Sequence, residues 1–84
     1  MPHYFFNIRS DAGLWPAPEP EEHLDLEAVR MEAVLDAKHI VSAALKAGAP
    51  FSAAIQKSFE VTDDTGATVL TMPFGEAVEI DTRA

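Results

Sequence analysis

The chain contains no cysteine among its 84 residues. This absence excludes a disulfide framework, a thiol nucleophile and any metal site built on cysteine. The first nine residues, Met-Pro-His-Tyr-Phe-Phe-Asn-Ile-Arg, also lack the basic lead and the long apolar segment of a secretion signal. Because small secreted domains usually depend on disulfides, a core of this size without them indicates a cytoplasmic protein.

Basic residues are scarce, and no apolar run approaches the roughly 18 residues that suggest a membrane-spanning helix. Six lysines and arginines stand against fourteen aspartates and glutamates, which gives a formal net charge of −8. The six basic residues are spread along the whole chain and form no cluster. Since proteins bind phosphate backbones mainly through clustered positive charge, we expect neither nucleic acid nor a membrane to be a partner.

Catalytic and cofactor motifs are also absent. No serine stands in a Gly-x-Ser-x-Gly segment, and the four glycines form no phosphate-binding loop. Asp64-Thr-Gly66 matches the triplet of aspartic proteases, but in a short chain with a turn at this point chance explains the match better. The carboxylate pairs Glu21-Glu22 and Asp63-Asp64 lie in a connector and a turn, not in the apolar surroundings that catalysis needs. We therefore predict that the protein is not an enzyme and uses no cofactor.

Short strands precede one long helix in the predicted fold. Residues 3–9 place Tyr4, Phe6 and Ile8 on one side of an extended chain, and such alternation of aromatic and β-branched residues is typical of a strand. Leu14-Trp15 follows a turn sequence and would begin a short returning strand. Three prolines then interrupt any hydrogen-bond ladder, so we expect residues 16–23 to form an extended, proline-rich connector.

The strongest helix pattern runs from Leu26 to Ala47. Asp25 supplies an N-cap oxygen, and Gly48 followed by Pro50 ends the helix. At 1.5 Å per residue, about 22 residues span roughly 33 Å. The apolar residues recur at helical spacing and form one stripe, which predicts packing on a sheet. They are Leu26, Val29, Ala33, Ala37, Ile40, Val41 and Ala44.

The end of the chain predicts a β-hairpin with strands at residues 58–62 and 67–72, followed by a helical turn at residues 76–80. We favour a four-residue loop at residues 63–66, because it places two apolar residues of each strand on one face, whereas a three-residue loop does not. The predicted fold is therefore α+β: a single domain over residues 1–84, with a three- or four-stranded antiparallel sheet and one long helix on one face, in the order β-(β)-α-β-β.

Four segments resemble a family of short uncharacterised proteins of rhizobia and related alphaproteobacteria that begin Met-Pro-Arg-Tyr-Phe-Phe. The segments are the opening Met-Pro-His-Tyr-Phe-Phe, Asp25-Leu-Glu-Ala-Val-Arg30, Phe59-Glu-Val-Thr-Asp-Asp64 and Leu70-Thr-Met-Pro-Phe74. The sequence departs from the family at His3 and in its proline-rich connector. The resemblance implies a bacterial origin and a domain of unknown function, and it brings no catalytic residue.

Arg30 is the candidate ligand-binding residue. On a helical wheel it falls inside the apolar stripe, between Ala37 and Val41. Since an unpaired buried guanidinium is costly, it must reach solvent, pair with a carboxylate or bind an anionic ligand. We favour a structural ion pair with an acid of the connector or hairpin, and keep the ligand contact as the alternative.

A metal site is not predicted. Glu32, Asp36 and His39 share one outward helix face and are ligand types for a divalent cation, but a solvated surface explains them more simply. The three histidines lack the His-x-x-x-His spacing of a zinc helix.

Four apolar residues suggest an interaction surface. Met31 and Leu35 lie on the helix face turned away from the stripe, and Phe5 and Trp15 lie outside the alternation that faces the helix. One helix covers one face of a sheet, so the second face is either polar or buried against another copy, and the aromatic residues outside the helix-facing alternation favour the second option. We therefore predict an interaction or regulatory module that forms a homodimer or binds an unidentified protein partner. The alternative is a small-ligand or anion-binding domain centred on Arg30.

Overall fold

Residues 1–79, the part of the chain that the computed structural model describes, contain five strands and three helices in the order β-β-β-α-α-β-β-α. The strands are β1 (His3–Ser10), β2 (Gly13–Trp15), β3 (Glu21–Glu22), β4 (Ser58–Thr62) and β5 (Thr68–Pro73). The helices are α1 (Leu26–Lys46), α2 (Phe51–Ala54) and α3 (Phe74–Glu79).

All five strands form one antiparallel sheet in the order β2-β1-β4-β5, with β3 also paired to β1. β1 pairs with β4 along residues 5–9, with β2 at residues 8–10 and with β3 at residues 3–4. The predicted α+β order is confirmed, and Leu14-Trp15 is a true strand. The fifth strand, β3, lies inside the segment predicted as an extended connector.

The core lies between one face of the sheet and α1. Tyr4 and Phe6 of β1 are buried there, as the alternation of residues 3–9 predicts. Phe59 of β4 links two aromatic contacts, because its ring centroid lies 5.8 Å from that of Phe6 and 5.2 Å from that of Phe74. Edge-on and tilted rings at these distances add specific attraction to the burial of apolar area. The core is completed by Val29, Ala33, Val34, Ala37, Val41, Ala54, Val61, Met72 and Ala77.

The hairpin between β4 and β5 has the predicted faces but not the predicted loop. Phe59 pairs with Met72, and Val61 pairs with Leu70, so the four apolar residues share the core face. The amide of Asp63 donates to the carbonyl of Ala67, which leaves a three-residue turn in which Gly66 has a φ of 87°. A register shift between Val61 and Thr62 adds the extra residue that restores the apolar pairing.

The ends of α1 follow the capping residues. The Asp25 carboxylate accepts a hydrogen bond of 2.8 Å from the amide of Ala28, and Gly48 after the helix has a φ of 97°. Both ends of the predicted helix are thus confirmed to within one residue. Leu24, which directly precedes the capping residue, is 73% exposed and does not pack in the core.

The two short helices pack beside α1. α3 begins at Phe74, earlier than the predicted turn at 76–80, and it buries Phe74 and Ala77 against α1. Ile80, the last residue of that predicted turn, lies outside the described residues. α2 begins directly after Pro50 and buries Ala54.

Candidate functional site

The sheet face opposite α1 is largely polar. Arg9 of β1 and Glu60 of β4 form an ion pair on it, with the guanidinium Nε 2.8 Å from the carboxylate. This hydrogen bond raises the pKa of Arg9 and lowers the pKa of Glu60, so both groups are charged at neutral pH. Cross-strand ion pairs and hydroxyl groups keep such a face in water without a covering layer. Of the two options for the second face, these side chains favour a polar surface over an apolar surface covered by another copy.

Asn7 anchors the proline-rich connector to this open face. Its side-chain amide donates to the carbonyl of Glu60 at 2.9 Å, and its carbonyl accepts the amide of Ala17 at 2.9 Å. Asn7 is only 8% exposed, so both contacts are sheltered from water. The Asn7 side chain therefore holds the connector beside the sheet at a point where prolines prevent backbone hydrogen bonds between strands.

Phe5 and Trp15 do not come together. Phe5 lies on the open face beside Asn7 and is half-buried. Trp15 pairs with Ile8, so it lies on the other face, at the edge of the sheet, where it is 68% exposed. These two predicted surface residues therefore do not share one face of the sheet.

Met31 and Leu35 do form a common surface, the outer patch of α1. Their side chains are 50% and 48% exposed, on the helix face opposite the buried stripe. Ala28 lies about one turn before Met31 on the same side of the helix, so it extends the patch toward the N-terminal end of α1. Met31 and Leu35 thus lie on the outward helix face on which the sequence pattern places them.

Arg30 is exposed, although its wheel position lies in the middle of the apolar stripe. Leu26, one turn earlier in the same stripe, is also 51% exposed, whereas Val29 and Ala33 are completely buried. The first turn of α1 thus extends beyond the part of the core that buries the rest of the apolar stripe. Within residues 1–79 Arg30 makes no ion pair, which corrects the structural pair that we favoured.

An acidic cluster joins α1 to the end of the connector. Oxygen atoms of Glu21, Glu32 and Asp36 all lie within 4.8 Å of one another. Partial burial, a hydrogen bond that protonated Asp36 donates to the Glu32 carboxylate, and the negative charges of Glu32 and Glu21 raise the pKa of Asp36 to about 7, and His23 opposes this shift. Asp36 therefore holds a proton near neutral pH, in contrast to an ordinary aspartate.

His23 fixes the position of this cluster relative to the core. Its ring centroid lies 5.5 Å from that of Phe6 and 6.3 Å from that of Tyr4, and its Nε2 is 3.1 Å from a Glu21 oxygen. The histidine side chain is 15% exposed. The aromatic contacts hold the histidine, and the histidine in turn holds the Glu21 carboxylate near α1.

The sequence pattern predicts two of the three members of this cluster and misses Glu21. Glu32 and Asp36 were grouped with His39, but His39 is exposed and the structure brings Glu21 to them instead. The i to i+4 spacing on α1 identified two members, while the third depends on how the connector folds back. Chemically, the cluster can store a proton, and its carboxylates are the residues that could hold a hard cation.

None of the helices within residues 1–79 is long and apolar enough to cross a bilayer. A family model described as "Domain of unknown function (DUF6894)" matches residues 3–75 of the chain. This match confirms the resemblance to an uncharacterised family. No curated protein and no solved structure matches the chain.

Proposed function

The chain belongs to the family described as "Domain of unknown function (DUF6894)", and we propose that this member is a small cytoplasmic interaction module that self-associates through the outer patch of α1. The observation that carries the proposal is the half-exposure of Met31 and Leu35 on a helix that covers only one face of the sheet. The cytoplasmic setting is supported by the absence of cysteine, since a domain of this size that functions outside the cell usually relies on disulfides.

In a dimer with two-fold symmetry, the outer patch of one copy would pack against the outer patch of the other. Fully burying a leucine or methionine side chain is worth about 1.5–3 kcal/mol, so each half-exposed side chain can gain about 1 kcal/mol. Two side chains from each copy then supply about 4 kcal/mol in all. Association itself costs at least about 4 kcal/mol, which these four side chains only offset, so the net stability of a dimer must come from the contacts around the patch and the dimer is expected to be weak.

Charge favours an antiparallel pairing of the two helices. Glu27 lies on one flank of the outer patch, and Lys38 lies on the same flank about three turns later. When two copies of α1 cross antiparallel at Met31 and Leu35, the flank with Glu27 in one copy meets the flank with Lys38 in the other. The net charge of −8 opposes association, but salt at 0.1 M screens charges beyond roughly 10 Å.

Sedimentation equilibrium over a wide concentration range tests the proposal. We expect a mass near that of one 9.1 kDa chain at low concentration and a rise toward twice that mass at several hundred micromolar, which corresponds to a net association free energy of about −5 kcal/mol. Leu35→Glu should abolish the rise. Phe51→Glu is the matched control, because Phe51 is an apolar residue of similar exposure on α2 and should leave the association unchanged.

A mass that stays at one chain throughout the range would rule out self-association and leave the outer patch to a different protein partner. Equal effects of both variants would show that the dimer uses another surface. The alternative function, an anion-binding domain centred on Arg30, rests on that one exposed guanidinium and has no further support.

A further inference from the structure

A pocket of about 370 Å³ opens where β1 begins, between the start of α1 and the turn of the β4–β5 hairpin. This volume lies within the range of about 300–1,000 Å³ that small-molecule sites occupy. It is distinct from the outer patch, since neither Met31 nor Leu35 lines it. Its walls come from three separate elements, so folding of the whole domain is needed to assemble it.

One side of the pocket is apolar. It is lined by Pro2, Tyr4, Leu26 and Val69. Tyr4 is buried and Val69 packs against the core, so this part of the wall is anchored. Leu26 is 51% exposed, which leaves about half of its side chain available to an apolar ligand.

The other side of the pocket carries negative charge. Asp63 and Asp64 line it from the hairpin turn. One oxygen of Asp63, Oδ1, accepts the hydroxyl of Thr65 at 2.6 Å and the amides of Thr65 and Ala67 at 2.9 and 3.1 Å. The Thr65 hydroxyl is the main cause that lowers the pKa of Asp63, so this carboxylate is charged. Its second oxygen, Oδ2, makes no hydrogen bond within the described residues.

We propose that this pocket binds a small amphipathic organic cation, with its ammonium group at Asp63 and Asp64 and its apolar body against Leu26 and Val69. The charge of the wall excludes an anionic ligand, because both carboxylates and the net charge of the chain would repel it. The apolar half of the wall argues for an organic ligand over a bare metal ion, which would gain nothing from Leu26 or Val69.

His3 is the basic side chain of the lining, and it carries a contact of its own. Its Nε2 lies 3.1 Å from a carboxylate oxygen of Glu22 on β3. A protonated His3 would oppose a cation, while Glu22 beside it offsets that charge. The binding titration is run near pH 8, where an aliphatic amine is still protonated.

Benzylamine is a suitable probe, and benzyl alcohol is its neutral counterpart of nearly the same shape. We expect benzylamine to shift the amide resonances of Leu26, Thr65 and Val69 in a saturable manner in two-dimensional NMR. Benzyl alcohol should bind about tenfold more weakly, because it lacks the charge that faces two carboxylates. High salt should weaken the binding of benzylamine and leave that of benzyl alcohol unchanged.

Substitutions separate this site from general attraction to an acidic protein. Asp64→Asn should weaken benzylamine binding by about three- to fivefold, the size expected for one exposed ion pair. Asp11→Asn removes an exposed carboxylate from a different turn and should change nothing. Leu26→Ala should weaken both probes equally, and Leu35→Glu should affect neither, which keeps this test independent of self-association.

Equal affinity for the amine and the alcohol would overturn the proposal, as would shifts that fail to saturate or that spread over all acidic segments. Loss of binding in Asp11→Asn as large as in Asp64→Asn would also overturn it. Asp63→Asn is avoided as the first variant, because Asp63 holds the turn through its hydrogen bonds.

Discussion

Replacing Asp36 by asparagine should change how the stability of the domain depends on pH. Asp36 has a pKa of about 7 in the folded chain, compared with 3.8 for an ordinary aspartate, because of partial burial and then the Glu32 carboxylate beside it. Between these two values the folded state holds a proton that the unfolded state has released. The contribution of Asp36 to the free energy of unfolding must therefore fall as pH rises from about 4 to about 7.

The magnitude follows from the shift. At 1.36 kcal/mol per pKa unit, a rise from 3.8 to about 7 corresponds to at most about 4 kcal/mol. Asp36 is only partly buried, and solvent screening reduces this to about 1–2 kcal/mol. Asp36→Asn removes the charge but keeps a hydrogen-bonding side chain. We expect the variant to be more stable than the parent by that amount at pH 8 and to have little advantage at pH 4.

Urea denaturation at pH 4, 5, 6, 7 and 8 measures the difference between the two proteins, and the difference isolates Asp36 from other groups. This matters because Glu60 and Asp63 have lowered pKa values, so their contribution to stability is lost as pH falls and has the opposite sign. Glu32→Gln should reproduce part of the effect, since it removes the neighbouring charge. Parallel stability profiles for the parent and Asp36→Asn would refute the reasoning.

Three further predictions concern the cap, the connector and the charge. Asp25→Ala should lower the free energy of unfolding by about 1 kcal/mol, because the Ala28 amide loses its acceptor, and an unchanged denaturation midpoint would contradict the cap. Asn7→Ala should cost about 1–3 kcal/mol by leaving the partly buried amide of Ala17 without a partner, and urea denaturation together with amide exchange at Ala17 measures it. Gel-shift assays with DNA and RNA should show no binding at micromolar protein, and a salt-sensitive shift would count against the charge argument.

Local pattern was enough to predict most of the secondary structure. The capping chemistry of Asp25 and Gly48 set the ends of α1 to within one residue, because helix ends depend on side chains a few positions away. The alternation in β1 likewise identified Tyr4 and Phe6 as core residues. These are short-range effects, and a single sequence contains them completely.

Local sequence pattern did not predict the hairpin register or the third member of the acidic cluster. In the hairpin, the turn is one residue shorter than predicted, and a bulge after Val61 compensates, so the faces were right although the loop was wrong. In the cluster, Glu21 joins Asp36 across the fold because His23 packs on Tyr4 and Phe6. Neither feature depends on neighbours in the chain alone.

For the candidate sites, the sequence by itself determined which residues lie on each side of α1, and with them the outer patch of Met31 and Leu35. Only the tertiary structure decided that Arg30 reaches solvent, that Phe5 and Trp15 lie on opposite faces, and that the hairpin turn closes a pocket against Leu26. The physical reason is that periodicity gives the angle of a side chain around its own element. Burial also depends on whether another element lies at that level, and contacts between distant segments determine this.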